Sequence, residues 1–149
     1  PSLLLASSLR ADRVINVARG RPGRVAMSVL VWCALAALLV MALFLLVHVG
    51  AVLWGRAQGL DTNFHFAAAG LHVPPWQWFF APYYFLAVLA FWAHVGCAAY
   101  WNVPTRHRTV ALGAMLAIGM AMAGVLVAWL AGAVIAVEIP ARYLGSYPS

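Results

Sequence analysis

The sequence predicts an all-α integral membrane protein: a bundle of three transmembrane helices, N-terminus in the cytoplasm and C-terminus outside. Three observations predict it. Hydrophobic residues make up 66% of the 149-residue chain and charged residues only 8%, against about 25% charged in a soluble domain. Three apolar runs each exceed the roughly 18 residues that mark a membrane-spanning helix. The nine basic residues, all arginine, sit beside these runs rather than within them, which is where topology signals lie. The net charge of +6 is therefore an orientation signal and gives no reason to expect nucleic acid as a partner. At this length the chain forms a single membrane domain.

Residues 1–24 are a basic cytoplasmic lead-in, with Arg10, Arg13, Arg19, Arg21 and Arg24 against Asp12 alone. Within it, residues 3–17 are expected to form a short interfacial helix, ended by the Arg-Gly-Arg-Pro-Gly stretch at 19–23. The lead-in anchors the chain at the membrane or faces a partner subunit or a quinone headgroup. It is not read as a secretory signal, because the apolar run that follows is too long for one.

The first span is residues 25–54, with His48 its only ionisable side chain. An outer loop, 55–75, holds Arg56, Asp61, His65 and His72 and closes on Pro74 and Pro75. The second span, 76–101, carries tryptophan or tyrosine at both ends, the composition of a membrane interface, and His94 deep inside. A basic cytoplasmic turn, 102–108, contains Arg106, His107 and Arg108 without an acid. The third span is 109–137, and 138–149 is an outer tail rich in turn residues. Loop and tail each pair one arginine with one acid, so the positive-inside rule places the lead-in and the 102–108 turn in the cytoplasm.

Small residues repeat every four positions along the third span: Gly113, Ala117 and Ala121, then Gly124, Ala128, Gly132 and Ala136. Such stripes allow close helix approach, here against helices of the same chain or against a second chain. Cys33 and Cys97 fall inside apolar runs and read as packing residues.

The candidate functional groups are the two intramembrane histidines. At 1.5 Å per residue, His48 lies about 9 Å and His94 about 27 Å below the outer tryptophans, Trp54 and Trp76. A depth difference of about 18 Å prevents them from sharing one metal ion, whose bonds to imidazole nitrogen are only about 2 Å long. An intramembrane ionisable residue marks function by default, and imidazole is a common metal and haem ligand. A hydrogen bond to a neighbouring helix carbonyl is the alternative for each. His65, His72 and His107 read as solvated or headgroup-contacting loop residues.

The segments Phe44-Leu-Leu-Val-His48-Val-Gly50, Pro74-Pro75, Ala90-Phe-Trp-Ala-His94-Val-Gly96-Cys-Ala-Ala-Tyr100 and Val103-Pro-Thr-Arg-His-Arg108 resemble the cytochrome b membrane anchors of succinate dehydrogenases and fumarate reductases. The resemblance covers residues 25–137 in outline. It implies haem b ligated by His48 at the outer level and His94 at the inner level, each giving one axial ligand to a different haem. It also implies quinone as substrate and peripheral iron–sulfur and flavoprotein subunits as partners. The chain would then be a subunit of a quinone oxidoreductase in the bacterial inner membrane rather than a stand-alone enzyme. Single-chain anchors of that family have five helices and four ligating histidines, so a second membrane-anchor chain, identical or different, would complete the ligands. No quinone motif is visible; Arg24, Asn102, Arg106 and His107 are the polar groups placed at the inner face. Two other readings stay open: a non-catalytic accessory subunit of a larger membrane complex, and a chlorophyll-binding subunit in which each histidine ligates magnesium from one side.

Overall fold

The computed structural model describes residues 23–147; the interfacial helix expected over 3–17 lies outside them. Three helices are long and apolar enough to cross a membrane, so the fold is a three-helix membrane bundle.

Helix α1, Arg24–Ala57, starts directly after Pro22 and Gly23 and stops at a glycine. Gly59 takes φ +75°, and the Gly59 and Leu60 amides donate to the Arg56 and Gly55 carbonyls at 3.0 and 2.9 Å. That pair of bonds is a Schellman closure, which requires the left-handed residue that glycine supplies without strain. The loop then forms a short helix, α2, Phe64–Ala69, where the sequence reading expected only a connection. Asn63 nucleates it: its side-chain oxygen accepts from the His65 amide at 2.9 Å and the Phe66 amide at 3.4 Å, satisfying donors a helix start otherwise leaves unpaired.

Helix α3, Gln77–Asn102, and helix α4, Arg108–Leu130, are joined by a single 3-10 turn, Thr105–His107. Pro82, inside α3, lacks the N–H that would bond the Trp78 carbonyl, and α3 continues through it. The third helix ends at Leu130, not at Val137 as expected. The cause is Gly132, at φ +74°: the Gly132 and Ala133 amides donate to the Trp129 and Ala128 carbonyls at 3.0 and 2.8 Å, a second Schellman closure. Gly132 and Ala136 therefore do not extend a helical stripe. Replacing Gly132 with alanine is expected to cost about 1 kcal/mol through left-handed strain, read as lost hydrogen-exchange protection at the Ala133 amide.

α3 is the central element and packs against both α1 and α4. Small residues set the α3–α4 approach. A side chain on Gly119 would meet Trp92 Cβ at 2.6 Å, and one on Gly96 would meet Leu112 Cδ1 at 3.0 Å and Met115 Cβ at 3.2 Å. By contrast Gly113 and Gly124 have open space beside them, and Ala117 and Ala121 are exposed. From Gly113 to Gly124 the stripe thus faces away from this chain's own helices, while Ala128 is half-buried. Large apolar side chains are exposed along α1, among them Trp32 at 71% and Leu46 at 73%. Helices apolar on all faces belong in a bilayer, which is the surrounding these exposed residues require.

The main cluster of buried residues lies at one end, hereafter the capped end, opposite the 3-10 turn. Residues 131–140 lead into α5, Ala141–Leu144, and the tail folds back over α2. Ala68, Ala69, Tyr84, Leu130, Ile139 and Tyr143 form its centre. Tyr143 is fully buried. Tyr84 donates to the Ala67 carbonyl at 2.9 Å, tying α3 to α2. Nearby, burial raises the Tyr147 phenol above its ordinary pKa, opposed by a hydrogen bond with the Gly70 backbone.

Candidate functional site

The register of α1 against α3 fixes the levels of the two intramembrane histidines. Tyr83 Oη donates to the Phe44 carbonyl at 3.1 Å, and the two rings lie 4.7 Å apart, so these residues share a level. His48 is one helical turn from Phe44 toward the capped end, and His94 is about three turns from Tyr83 toward the other. Their axial separation is about 22 Å at 1.5 Å per residue, so one metal ion cannot bridge them within this chain.

His48 is half-buried and stacks on Phe44, ring centroids 5.1 Å apart at 13°. Toward the bundle it borders a cavity of about 100 Å³, walled by Phe66, Phe79, Phe80, Tyr83, Tyr84 and Tyr147. His94 is also half-buried. Its Nδ1 is shut off from solvent without a hydrogen-bond partner, although buried polar groups are nearly always paired. Next to it, Gly96 and Cys97 are buried; Gly96 faces α4, its space taken by Leu112 and Met115. Cys97 is thus a packing residue as expected, whereas Cys33 is exposed on α1.

A haem can be tested against these surroundings. Sites for molecules of cofactor size usually measure about 300–1,000 Å³, so the small cavity at His48 cannot take a macrocycle. The protein side of His94 is filled. Each imidazole nevertheless has an uncovered small residue on its own helix one turn onward, Ala51 for His48 and Ala98 for His94. A macrocycle held by either imidazole would therefore have to lie on the outer side of the bundle, against another chain. Among the described residues no three histidines, cysteines or carboxylates come together.

The expected inner-face groups do share one end of the bundle, because α1 begins where α3 ends. They do not form a pocket. Arg24 is exposed at the start of α1. Asn102 spends its side-chain amide on the Ala98 carbonyl at 2.8 Å. Arg106 Nε donates to His107 Nε2 at 2.8 Å, both exposed. None of the four lines any of the larger cavities.

Two loop histidines depart from the solvated reading. His72 Nε2 lies 2.9 Å from the Leu130 carbonyl, one of the acceptors that the end of α4 leaves open. It clamps the loop to the third helix. His65 stacks against Tyr143 at 6.1 Å and 24°, and its Nδ1 is buried without a partner. The only signal for either is their position beside α2, a helix the apolar pattern was too short to reveal.

An almost wholly apolar recess, about 450 Å³, is floored by α3 at Tyr84, Ala87 and Phe91 and walled by Met41 and Phe44 of α1 and Leu126 of α4. It exists because α1 and α4 flank α3 without packing on each other. A second cavity, of about 510 Å³, opens at the capped end between α1 and the tail. Comparisons of the chain with protein-family models, curated proteins and solved structures find no match.

Proposed function

We propose that the chain is a membrane subunit of a quinone oxidoreductase, supplying one axial imidazole to each of two b-type haems held between it and a second membrane chain. The observation that carries this reading is the unpartnered Nδ1 of His94 within a span. Leaving a buried polar atom unpaired costs about 1–3 kcal/mol, and intramembrane ionisable groups mark function by default. A ligating histidine uses one ring nitrogen for the metal, while the other bonds an outer partner. At His94 the enclosed Nδ1 leaves Nε2 as the nitrogen that would meet the metal. The 22 Å separation of the levels, estimated at about 1.5 Å per residue, supports two separate ligand positions.

In this reading His94 serves the level nearer the 3-10 turn and His48 the level nearer the capped end. Haem supplies the one-electron chemistry when bound. The chain's part is to fix the two imidazoles on rigid helices and, at Ala51 and Ala98, to leave the adjoining surface open. Apolar helix faces keep water away from both. By the positive-inside rule the arginines of the lead-in, with Arg106 and Arg108, favour that end as the cytoplasmic one; in a bacterial inner membrane, peripheral iron–sulfur and flavoprotein subunits would dock there. Arg24, Asn102, Arg106 and His107 remain the polar groups available to quinone at that end.

The test is a reduced-minus-oxidised spectrum, with haem quantification, of the complex purified with its native partners. His94→Ala and His48→Ala are each expected to remove a different redox component. Haem-free complex with both histidines intact would overturn the proposal in favour of an accessory subunit, and a chlorophyll spectrum would replace haem with that pigment. Loss of one common component in both variants would refute the two-level arrangement.

A further inference from the structure

The cavity at the capped end has two unlike surfaces. Its floor is apolar and aromatic, with Trp54 and Ala51 of α1, Phe66 of α2 and Phe80 of α3; its rim carries Gln58, Arg142 and Ser146. Among the described residues Arg142 is the only charged one lining it, and no acid lines it. The guanidinium is held in place: one nitrogen donates to Tyr143 Oη at 3.1 Å, and the group lies 4.9 Å over the Tyr143 ring. Tyr143 itself is fully buried, so it is a rigid support. A guanidinium has five N–H donors, and this contact uses one of them.

The cavity also lies at a membrane boundary. Trp54 is 70% exposed near the end of a spanning helix, where tryptophan marks the headgroup level. A ligand filling this space must combine an apolar body with an anionic oxygen group at the headgroup level. We infer that the cavity binds an anionic phospholipid of the surrounding bilayer, its phosphodiester on Arg142 and its first acyl segment over Trp54, Phe66 and Phe80. A soluble anion would leave the aromatic floor uncovered. A zwitterionic lipid would bring an ammonium group to a rim with no carboxylate to receive it. The volume, about 510 Å³, suits a headgroup and the start of one chain rather than a folded partner. The cavity lies beyond His48 at the capped end and shares Ala51 with the surface proposed to stay open there; lipid binding is read without reference to haem.

The test uses the purified protein, with any partners that accompany it, in detergent. Phosphatidylglycerol, phosphatidylcholine and inorganic phosphate are titrated separately, read by thermal unfolding and by native mass spectrometry. Phosphatidylglycerol is expected to raise Tm and to stay bound; the other two are not. Arg142→Gln is expected to weaken phosphatidylglycerol binding about ten-fold, the scale of a lost charge-assisted contact, and Arg142→Lys to restore part of it. Trp54→Ala strips the floor with Arg142 intact and is expected to abolish the increment; Trp54 is 70% exposed, so its removal opens no core and keeps the test independent of how well Arg142→Gln folds. Equal stabilisation by phosphatidylcholine, full stabilisation by inorganic phosphate alone, or an undiminished increment in both Arg142→Gln and Trp54→Ala would overturn the inference.

Discussion

Replacing Tyr143 with alanine is expected to produce the largest loss of stability of any single substitution in the tail, about 3–5 kcal/mol, the range for deleting a large buried aromatic. Tyr143 is fully enclosed, stacks on His65 and accepts a hydrogen bond from Arg142. Its removal leaves a cavity beneath the tail and takes the support from the Arg142 guanidinium. Tyr143→Phe keeps the ring and loses only the hydroxyl contact, so about 1 kcal/mol is expected there. Thermal unfolding of the purified variants checks the ranking. Limited proteolysis adds the location: cleavage after Arg142 should rise sharply in Tyr143→Ala while the long helices stay protected. A Tyr143→Ala variant as stable as the parent would mean that the tail does not close the bundle.

The weight of this tail was not legible in the sequence for a physical reason. Hydropathy finds elements that bury a whole face in lipid, and α1, α3 and α4 do so. It is blind to a few residues whose burial depends on a distant loop. Ile139, Tyr143 and Tyr147 follow one another at four-residue spacing, a helical face, but only the folded chain brings them against Ala68 and Phe80. Asn63 before Phe64 was a readable helix start of the kind that polar caps provide. Gly132 was equally readable as a stop, yet its place in the small-residue series made it look like packing. The depths of His48 and His94 could be approached from helical rise alone, and the Tyr83–Phe44 contact leaves them on separate levels. The unpaired Nδ1 of His94 needed the positions of neighbouring side chains, which no spacing rule supplies.

The contrast between glycines of α4 separates contacts within the chain from contacts to others. Gly119→Ala is expected to force α3 and α4 apart, because a new Cβ would lie 2.6 Å from Trp92 Cβ, a position close to the backbone that side-chain rotation cannot vacate. Overpacking of this kind costs about 1–3 kcal/mol, and here it acts at the pairing that seats the third helix. The same change at Gly113 or Gly124 meets nothing within 4 Å, so in the isolated chain it should be neutral or slightly stabilising through better helix propensity. Thermal unfolding of the three variants as isolated chains tests this ordering; a destabilised Gly124→Ala would place the outward face of α4 in contact with this chain after all. Repeating the measurement in the native complex asks a different question of the same residues. Small residues at four-residue spacing permit close approach by another helix. If a second chain uses that surface, Gly113→Ala and Gly124→Ala should weaken assembly while leaving the isolated chain unharmed. Gly119→Ala should damage both.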